Sequence, residues 1–212
     1  MKKISYENLT IFTEKIFRKV GLDNFSVKSV SLGLCETSLR GVDSHGIRLL
    51  PHYVKSALKG RKNPKPKFKL IKKYSAMATL DADNAFGHSA GMKAIDHCIN
   101  LAKKSGVGVV LVKNSSHPGA LASMALRASR KGYACFAFTH SDSLMLSYNG
   151  INPLFGTNPV CFSCPNVGDQ PYCLDMATTL ISWNKLLTFK KKRKKLSKQI
   201  GANQKGYITT NP

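Results

Sequence analysis

The sequence contains no apolar run that approaches the roughly 18 residues of a membrane-spanning helix. Its basic start, Lys2 and Lys3, is not followed by an apolar stretch, so no signal peptide is predicted. We therefore expect a soluble protein of the cytoplasm that makes no membrane contact. In that compartment the six cysteines are expected to stay reduced.

Several motifs of nucleotide and metal sites are also missing. No G-x-G-x-x-G follows a predicted strand and no Walker loop occurs, which argues against a Rossmann fingerprint and a P-loop. No His-Glu-x-x-His occurs and the histidines lack metal-ligand spacing, so no metal site is predicted. The C-x-x-C of Cys161 and Cys164 lies in a predicted strand without a second ligand pair, which favours thiols packed as small hydrophobes.

Acidic residues are scarce: 11 Asp and Glu stand against 33 Lys and Arg, for a net charge of +22. The excess of basic residues is concentrated in two segments. Residues 55–73 contain nine basic residues and no acidic one, and nine more basic residues follow Asp175. Such charge could attract nucleic acid, but aromatic residues are not interleaved with the lysines, so nucleic-acid binding is not favoured. The run 190–195 could be a nuclear import signal, although a solvated helix end is the favoured interpretation.

Hydrophobic periodicity predicts a helical N-terminal segment over 1–75, which we expect to lie on the substrate side. Its helices are expected over 5–20, from 26 toward 40 and over 48–59, with an exposed proline and lysine loop over 61–69. Ser5 is expected to cap the first helix.

From residue 76 onward, strands alternate with helices, which predicts an α/β fold. Strands are expected over 77–80, 107–112, 134–138 and 160–164, and helices over 89–104 and 118–130. The apolar runs 107–112 and 134–138 are expected to be buried. We interpret 76–187 as an incomplete cofactor-binding domain and 188–212 as a poorly ordered basic tail. Because the sequence stops in a predicted loop, we expect a C-terminally truncated chain.

Polar clusters at the ends of apolar elements are the candidate site residues. In 43–48, an imidazole that trades protons near neutral pH stands beside a guanidinium that can bind a carboxylate. A capping Ser44 with a surface Arg48 explains that cluster about as well. His117 follows the strand 107–112, where ligands gather in α/β sheets, although it could simply cap the next helix.

A further set of polar residues follows other strands and turns. Hydroxyl, amide and backbone N–H groups there could hold a phosphate or a ribose, although each segment alone is an ordinary turn. The three segments are 139–142, 156–159 and 175–178.

Taken in order, four stretches resemble the malate/L-lactate dehydrogenase family, which includes ureidoglycolate and sulfolactate dehydrogenases and a cyclic-imine reductase. Trp183 and Lys185 also fit, and the resemblance runs from about residue 5 to about residue 187. A weaker resemblance to the same family covers 206–212. The four stretches are Arg40-Gly41-Val42-Asp43-Ser44-His45-Gly46, Asn114-Ser115-Ser116-His117-Pro118-Gly119-Ala120, Gly156-Thr157-Asn158-Pro159 and Leu174-Asp175-Met176-Ala177-Thr178-Thr179.

The resemblance implies the family's own non-Rossmann fold, a homodimer, and NAD or NADP as the hydride carrier. It makes His117 the proton acceptor, with Ser44 and His45 as further catalytic residues and Arg48 on the substrate carboxylate. Family chains continue well past residue 212, and Pro118 stands where an aromatic residue is common. The implied cofactor contacts are Ser141, Gly156, Thr157, Asn158, Asp175, Met176 and Ala177.

Three hypotheses about function follow. The first is reversible oxidation of a small 2-hydroxy acid to the 2-oxo acid by NAD or NADP. The second is reduction of a cyclic imine on the same scaffold. The third, from a different class, is an inactive truncated fragment or a basic binding module.

Overall fold

Three helices form the N-terminal segment of the computed structural model, which describes residues 3–72 and 74–212. Helix α1 is Tyr6–Lys19, α2 is Asn24–Leu39 and α3 is Leu50–Leu58, with a short 3-10 turn at Ile47–Leu49 before α3. The Ser5 hydroxyl accepts a hydrogen bond from the Asn8 N–H (3.2 Å), so the predicted cap is confirmed. The Asp23 carboxylate caps α2 in the same way, through the Ser26 N–H (2.7 Å).

The first sheet has three strands and one packed helix. Strand β1 (Lys69–Lys72) pairs antiparallel with β2 (Met77–Asp81). Helix α4 (Gly87–Ser105) then connects β2 to β3 (Val109–Lys113), which pairs with β2 in parallel. Because β2 and β3 are parallel, the residues that follow both strands lie at the same edge of the sheet.

The second sheet is antiparallel and follows helix α5 (Ala122–Ser129). Its strands are β4 (Cys135–Phe138), β7 (Val160–Cys164) and β8 (Tyr172–Met176), in the order β4-β7-β8. Between β4 and β7 lies a small antiparallel hairpin of β5 (Met145–Leu146) and β6 (Pro153–Phe155). The predicted α/β class therefore holds as a mixed fold, in which the parallel pairing is confined to β2 and β3 within the described residues.

Two main clusters of buried side chains form the core. One joins α1, α2 and α3 around Phe17, Leu34 and Phe86. The other lies between α4, α5 and β7 around Met92 and Met124. Helix α2 packs against α1, α4 and α5, so the helical segment is continuous with the sheets.

The predicted burial of two strands is wrong. Strand β3 lies at a sheet edge, and Leu111 is 58% exposed. In β4, Phe136 is 64% and Phe138 is 66% exposed, because only the opposite side of that sheet packs against α5. The strand register places eight apolar residues on this uncovered side, which we name the outer apolar face: Phe136, Phe138, Val160, Phe162, Cys164, Tyr172, Leu174 and Met176.

Two further predictions need correction. The helix expected over 118–130 begins only at Ala122, because Gly119 adopts a left-handed conformation (φ 72°) that a helix does not contain. After residue 187, where a poorly ordered tail was expected, α6 (Trp183–Lys191) ends and β9 (Gly201–Ala202) pairs with β10 (Ile208–Thr209). Leu196 is buried against this hairpin.

Among the described residues, no helix combines the length and the apolar character that crossing a bilayer requires.

Candidate active site

Two imidazoles from distant parts of the sequence stack on each other. The ring centroids of His45 and His117 are 5.6 Å apart, with an angle of 29° between the ring planes. The turn that carries His45 is tied to α2, because the Ser38 hydroxyl accepts from the Ile47 N–H (2.8 Å). Gly46 lies so close to Ser38 that a Cβ there would collide with it. The two histidines that the family resemblance implies as catalytic residues therefore lie next to each other.

The loop after β3 holds His117 in place. The Ser116 hydroxyl accepts from the Gly87 N–H (3.0 Å) and donates to the Ala85 carbonyl (3.1 Å), which anchors the loop to the start of α4. A Cβ at Gly87 would collide with the backbone of this loop, so the approach depends on glycine. His117 is thus fixed at the edge where β2 and β3 both end.

Each histidine has a hydroxyl partner on Nδ1. The Ser44 hydroxyl lies 2.9 Å from Nδ1 of His45. The Tyr53 hydroxyl, from the middle of α3, lies 2.7 Å from Nδ1 of His117. Both contacts use Nδ1, so Nε2 is the nitrogen that each ring has left for a further partner.

The surroundings keep both imidazoles neutral at physiological pH. Burial lowers the pKa of His117 to about 4, with smaller contributions from the charges of His45 and His52. Part of the His117 side chain is exposed to solvent, which moderates this effect. Burial also lowers the pKa of His45, against the opposing charge of Asp175, and the charge of Arg48 lowers it further. A neutral imidazole is the form that accepts a proton.

Arg48 lies beside this pair and contacts α6. One guanidinium nitrogen donates to the Thr188 hydroxyl and the other to the Asn184 carbonyl (3.3 Å). Arg48 follows His45 by three residues in the chain, and its charge lowers the pKa of that imidazole. A guanidinium has five N–H donors, and these two contacts leave donors for a carboxylate.

Asp175 makes a contact that the sequence did not predict. Its carboxylate accepts from the Ala122 N–H (2.8 Å), the first residue of α5, and so caps that helix. Burial raises the pKa of this carboxyl, while the Ala122 contact and the charge of His45 lower it. Asp175 therefore connects the end of β8 to the start of α5, and its charge acts on His45.

Most of the predicted cofactor residues meet at one edge of the second sheet. The register pairs Phe138 with Val160 and Val160 with Met176, so the segments 139–142, 156–159 and 177–178 all adjoin that edge. The Ser141 hydroxyl accepts from the Thr157 N–H (2.8 Å), and the Ser141 N–H donates to the Asn158 side chain (3.2 Å).

Gly156 and Met176 complete this edge in different ways. Gly156 is buried against Ser141 and has no room for a Cβ. The Met176 side chain, 49% exposed, belongs to the outer apolar face, and Ala177 follows it at the strand end.

The donors and acceptors at this edge fit a nicotinamide dinucleotide. Hydroxyls of Ser141, Thr157 and Thr178 cluster there, since Thr178 donates from its backbone N–H (2.9 Å) and its hydroxyl (3.1 Å) to the Thr157 carbonyl. Neutral hydroxyl and amide groups suit a ribose or a carboxamide. In the described part of the chain, no group of three or more His, Cys, Asp or Glu is arranged to hold a metal ion.

Two site residues lay outside the sequence prediction. Tyr53 falls in the predicted helix 48–59 and His88 directly precedes the predicted helix 89–104, and neither belongs to a polar cluster. His88 is fully buried, with its ring 5.1 Å from that of Tyr53. The only signal was their aromatic, titratable character inside otherwise apolar helices, which does not distinguish them from core residues.

The sequence and the structure are both similar to those of known dehydrogenases. Malate dehydrogenase from Pyrococcus abyssi is 34% identical over 98% of this chain and 57% of its own length. The structure of malate dehydrogenase from Entamoeba histolytica superposes with a TM-score of 0.95 at 31% identity, over 100% of this chain and 59% of that one.

A third neighbour is a reductase. Delta1-piperideine-2-carboxylate reductase from Pseudomonas syringae pathovar tomato gives a TM-score of 0.94 at 25% identity, over 100% of this chain and 64% of that one. The chain thus spans about 57–64% of the length of these proteins. The profile of the malate/L-lactate dehydrogenase family matches residues 4–212. This chain therefore belongs to the malate/L-lactate dehydrogenase family.

Proposed function

We propose that this chain carries the acid–base site of a nicotinamide-dependent dehydrogenase that oxidises a small 2-hydroxy acid to the 2-oxo acid. The observation that carries the proposal is the stack of two neutral imidazoles, His45 and His117, with Arg48 beside it. Imidazole supplies a base at neutral pH, and guanidinium supplies a bidentate partner for the substrate carboxylate.

Each residue has a distinct task in the reaction. Arg48 binds the carboxylate of the substrate through the donors that α6 leaves free. His117 accepts the proton of the substrate hydroxyl at Nε2, because its Nδ1 is engaged by Tyr53. His45, held by Ser44, orients the substrate oxygen from the other side of the stack or relays the proton.

NAD or NADP would be held at the edge formed by Ser141, Gly156, Thr157 and Asn158, with Asp175, Met176 and Ala177 at the end of β8. When bound, the nicotinamide supplies the acceptor for the hydride that leaves the substrate carbon. The protein positions the two reactants, and Asp175 supports this by tying the end of β8 to α5 and by its charge on His45. We also propose that the protein forms a homodimer and is located in the cytoplasm.

Reduction of a cyclic imine is a second candidate function. It is favoured by the structural similarity to a piperideine carboxylate reductase. The site suits this reaction too, because a protonated His117 could donate to the nitrogen of a carbon–nitrogen double bond. Both reactions need a partner for the substrate carboxylate and one acid–base imidazole, so the site residues alone do not distinguish them. Substrate profiling does distinguish them.

The test is a comparison of His117→Ala with the unsubstituted chain. We expect kcat/KM for 2-oxo acid reduction with NADH or NADPH to fall at least about 100-fold, the usual contribution of a positioned acid–base group. The matched control is His97→Ala. His97 lies on α4 near Lys93 and Asp96, so its replacement should leave kcat/KM unchanged.

The substrate panel contains pyruvate, oxaloacetate and a cyclic imine carboxylate. Equal turnover by His117→Ala and the unsubstituted chain would exclude His117 as the acid–base group. Activity on the imine alone would select the reductase. No binding of NADH in a fluorescence titration, together with salt-sensitive binding of nucleic acid, would instead support an inactive basic binding module.

A further inference from the structure

Tyr53 is built into the interior of the protein at the place where it meets His117. Its side chain is 2% exposed, and its hydroxyl lies 2.7 Å from Nδ1 of His117. The two rings are also stacked, with 20° between their planes. The hydrogen bond at one nitrogen of a histidine decides which nitrogen carries the proton in the neutral ring.

We propose that Tyr53 is a positioning residue: its hydroxyl accepts a hydrogen bond from Nδ1–H of His117 and so leaves the lone pair of Nε2 for the substrate. This inference rests on the proposed function, since it explains how His117 is prepared as the base. The opposite arrangement, with Tyr53 donating to Nδ1, would place the proton on Nε2 and block proton acceptance there.

The same hydrogen bond serves both protonation states of His117. After His117 takes the substrate proton at Nε2, Nδ1 still carries its hydrogen and still donates to Tyr53. The tyrosine therefore need not move during the reaction. Burial raises the pKa of Tyr53, so the side chain stays a neutral phenol, whose oxygen has lone pairs with which to accept this bond.

The packing beneath Tyr53 prevents its ring from turning away. The His88 ring meets it edge to face at a centroid distance of 5.1 Å, and Phe86 packs against it at 6.1 Å. His88 is itself enclosed, because a Cβ at Gly33 or at Gly119 would collide with its ring. Among the described residues, neither ring nitrogen of His88 has a hydrogen-bond partner, so the ring contributes to this wall by its shape.

The titratable groups that surround His117 are aromatic or imidazole side chains. His45 stacks on it, His52 adds charge from α3, and the charges of His117 and His45 act in turn on the buried His88. Arg48 and Asp175 act on His45. Within this set, Tyr53 is the group that hydrogen bonds to the ring of His117.

The decisive measurement is the tautomer of His117 in the ¹⁵N-labelled chain at pH 7, read from long-range ¹H–¹⁵N correlations. We expect Nδ1 to be protonated in the unsubstituted chain. In Tyr53→Phe, which keeps the ring and removes the hydroxyl, we expect a shift toward protonation at Nε2. Tyr148→Phe removes a hydroxyl from a side chain that is 94% exposed and should leave the tautomer unchanged.

Two results would overturn the inference: protonation of Nε2 in the unsubstituted chain, or an unchanged tautomer in Tyr53→Phe. The first needs no variant, so it decides the matter even if Tyr53→Phe does not fold. A pure loss of stability in the variant, with the same tautomer in its folded fraction, would indicate a structural role only.

Kinetics separate this inference from the proposed function. Tyr53→Phe should lower kcat at least about 10-fold with KM little changed, a smaller loss than removal of the base itself. If His117→Ala keeps full activity, the proposed function fails even where the Nδ1–H tautomer is found. If His117→Ala is inactive but the tautomer does not depend on Tyr53, only the inference about Tyr53 fails.

Discussion

His88 shows how a single residue supports the site from within the core. It is fully buried and has no hydrogen-bond partner within the part of the chain that the structure describes. Burial, together with the charges of His117 and His45, lowers its pKa to about 3. The ring is therefore neutral and acts as a flat spacer under Tyr53. Gly33 and Gly119 make room for it, so the glycine of the 114–120 motif has a structural reason.

Gly119→Ala tests this packing. The residue has φ 72°, and a Cβ would collide with the His88 ring. We expect the free energy of unfolding to fall by about 3 kcal/mol, from the left-handed backbone and the overpacking together. Urea denaturation measures this loss. Gly132→Ala is the control, because it has φ 87° but open space around it, and it should cost about 1 to 2 kcal/mol. Equal losses in both variants would refute the packing argument.

At the scale of secondary-structure elements, the site depends on how strands and helices end beside one another. Helix α5 begins where β8 ends, and Asp175 joins them through the Ala122 N–H. A carboxylate at the N-terminus of a helix satisfies an unpaired donor and complements the helix dipole. The same carboxylate raises the pKa of His45, so the helix cap and the histidine pair are coupled.

Replacement of Asp175 by Ala should therefore loosen the start of α5. We expect the free energy of unfolding at pH 7 to fall by about 1 to 2 kcal/mol, as for loss of other helix caps. Hydrogen exchange of the Ala122 amide should accelerate in the variant. Asp169→Ala removes an exposed carboxylate from the loop between β7 and β8 and should change stability by less than about 0.5 kcal/mol. An unchanged Ala122 exchange rate would count against the cap.

Element positions were predicted well where the signal is local. Caps and helical spacing predicted α1 and α2 within two residues of their ends, and the strand 160–164 was predicted at its full extent. Strands β1 and β8 were not predicted, because Lys69–Lys72 and Tyr172–Met176 mix polar and apolar residues without a clear pattern. Pairing with the neighbouring strands β2 and β7 supplies the missing information, which the pattern of a single strand does not contain.

At the scale of the whole molecule, the outer apolar face is the most unusual surface. All eight of its residues are apolar, and the opposite side of the same sheet packs against α5. Contiguous apolar patches on a protein surface mark sites of association. The chain spans 57% of the length of the Pyrococcus abyssi malate dehydrogenase. That protein therefore has additional residues from which a layer over the equivalent sheet face can be formed.

We expect the purified 212-residue chain to associate through the outer apolar face. Sedimentation velocity should show self-association that rises with concentration, and a dye such as ANS should bind. Replacing both Phe136 and Phe138 by Lys should weaken both signals, because charge on the face opposes its burial. Val167→Lys, in a fully exposed loop, is the control and should not alter them. A monomer without dye binding in the unsubstituted chain would refute the prediction.

Of the elements in the described residues, the sequence alone determined helices α1 to α5, four of the ten strands (β2, β3, β4 and β7) and the loops that carry Ser44, His45, His117 and Ser141. Capping, periodicity and turn residues act over a few positions, which is why these elements could be predicted. The order of four motifs also indicated the family, which the profile match confirms.

Only the tertiary structure decided which groups share a site and which surfaces are bare. Tyr53 meets His117 across 64 positions, and Asp175 meets Ala122 across 53. Burial of β3 and β4 was mispredicted for the same reason, since an apolar strand shows what it could bury but not whether a layer covers it. Contacts of this kind depend on how elements pack, and the local pattern of either partner does not encode them.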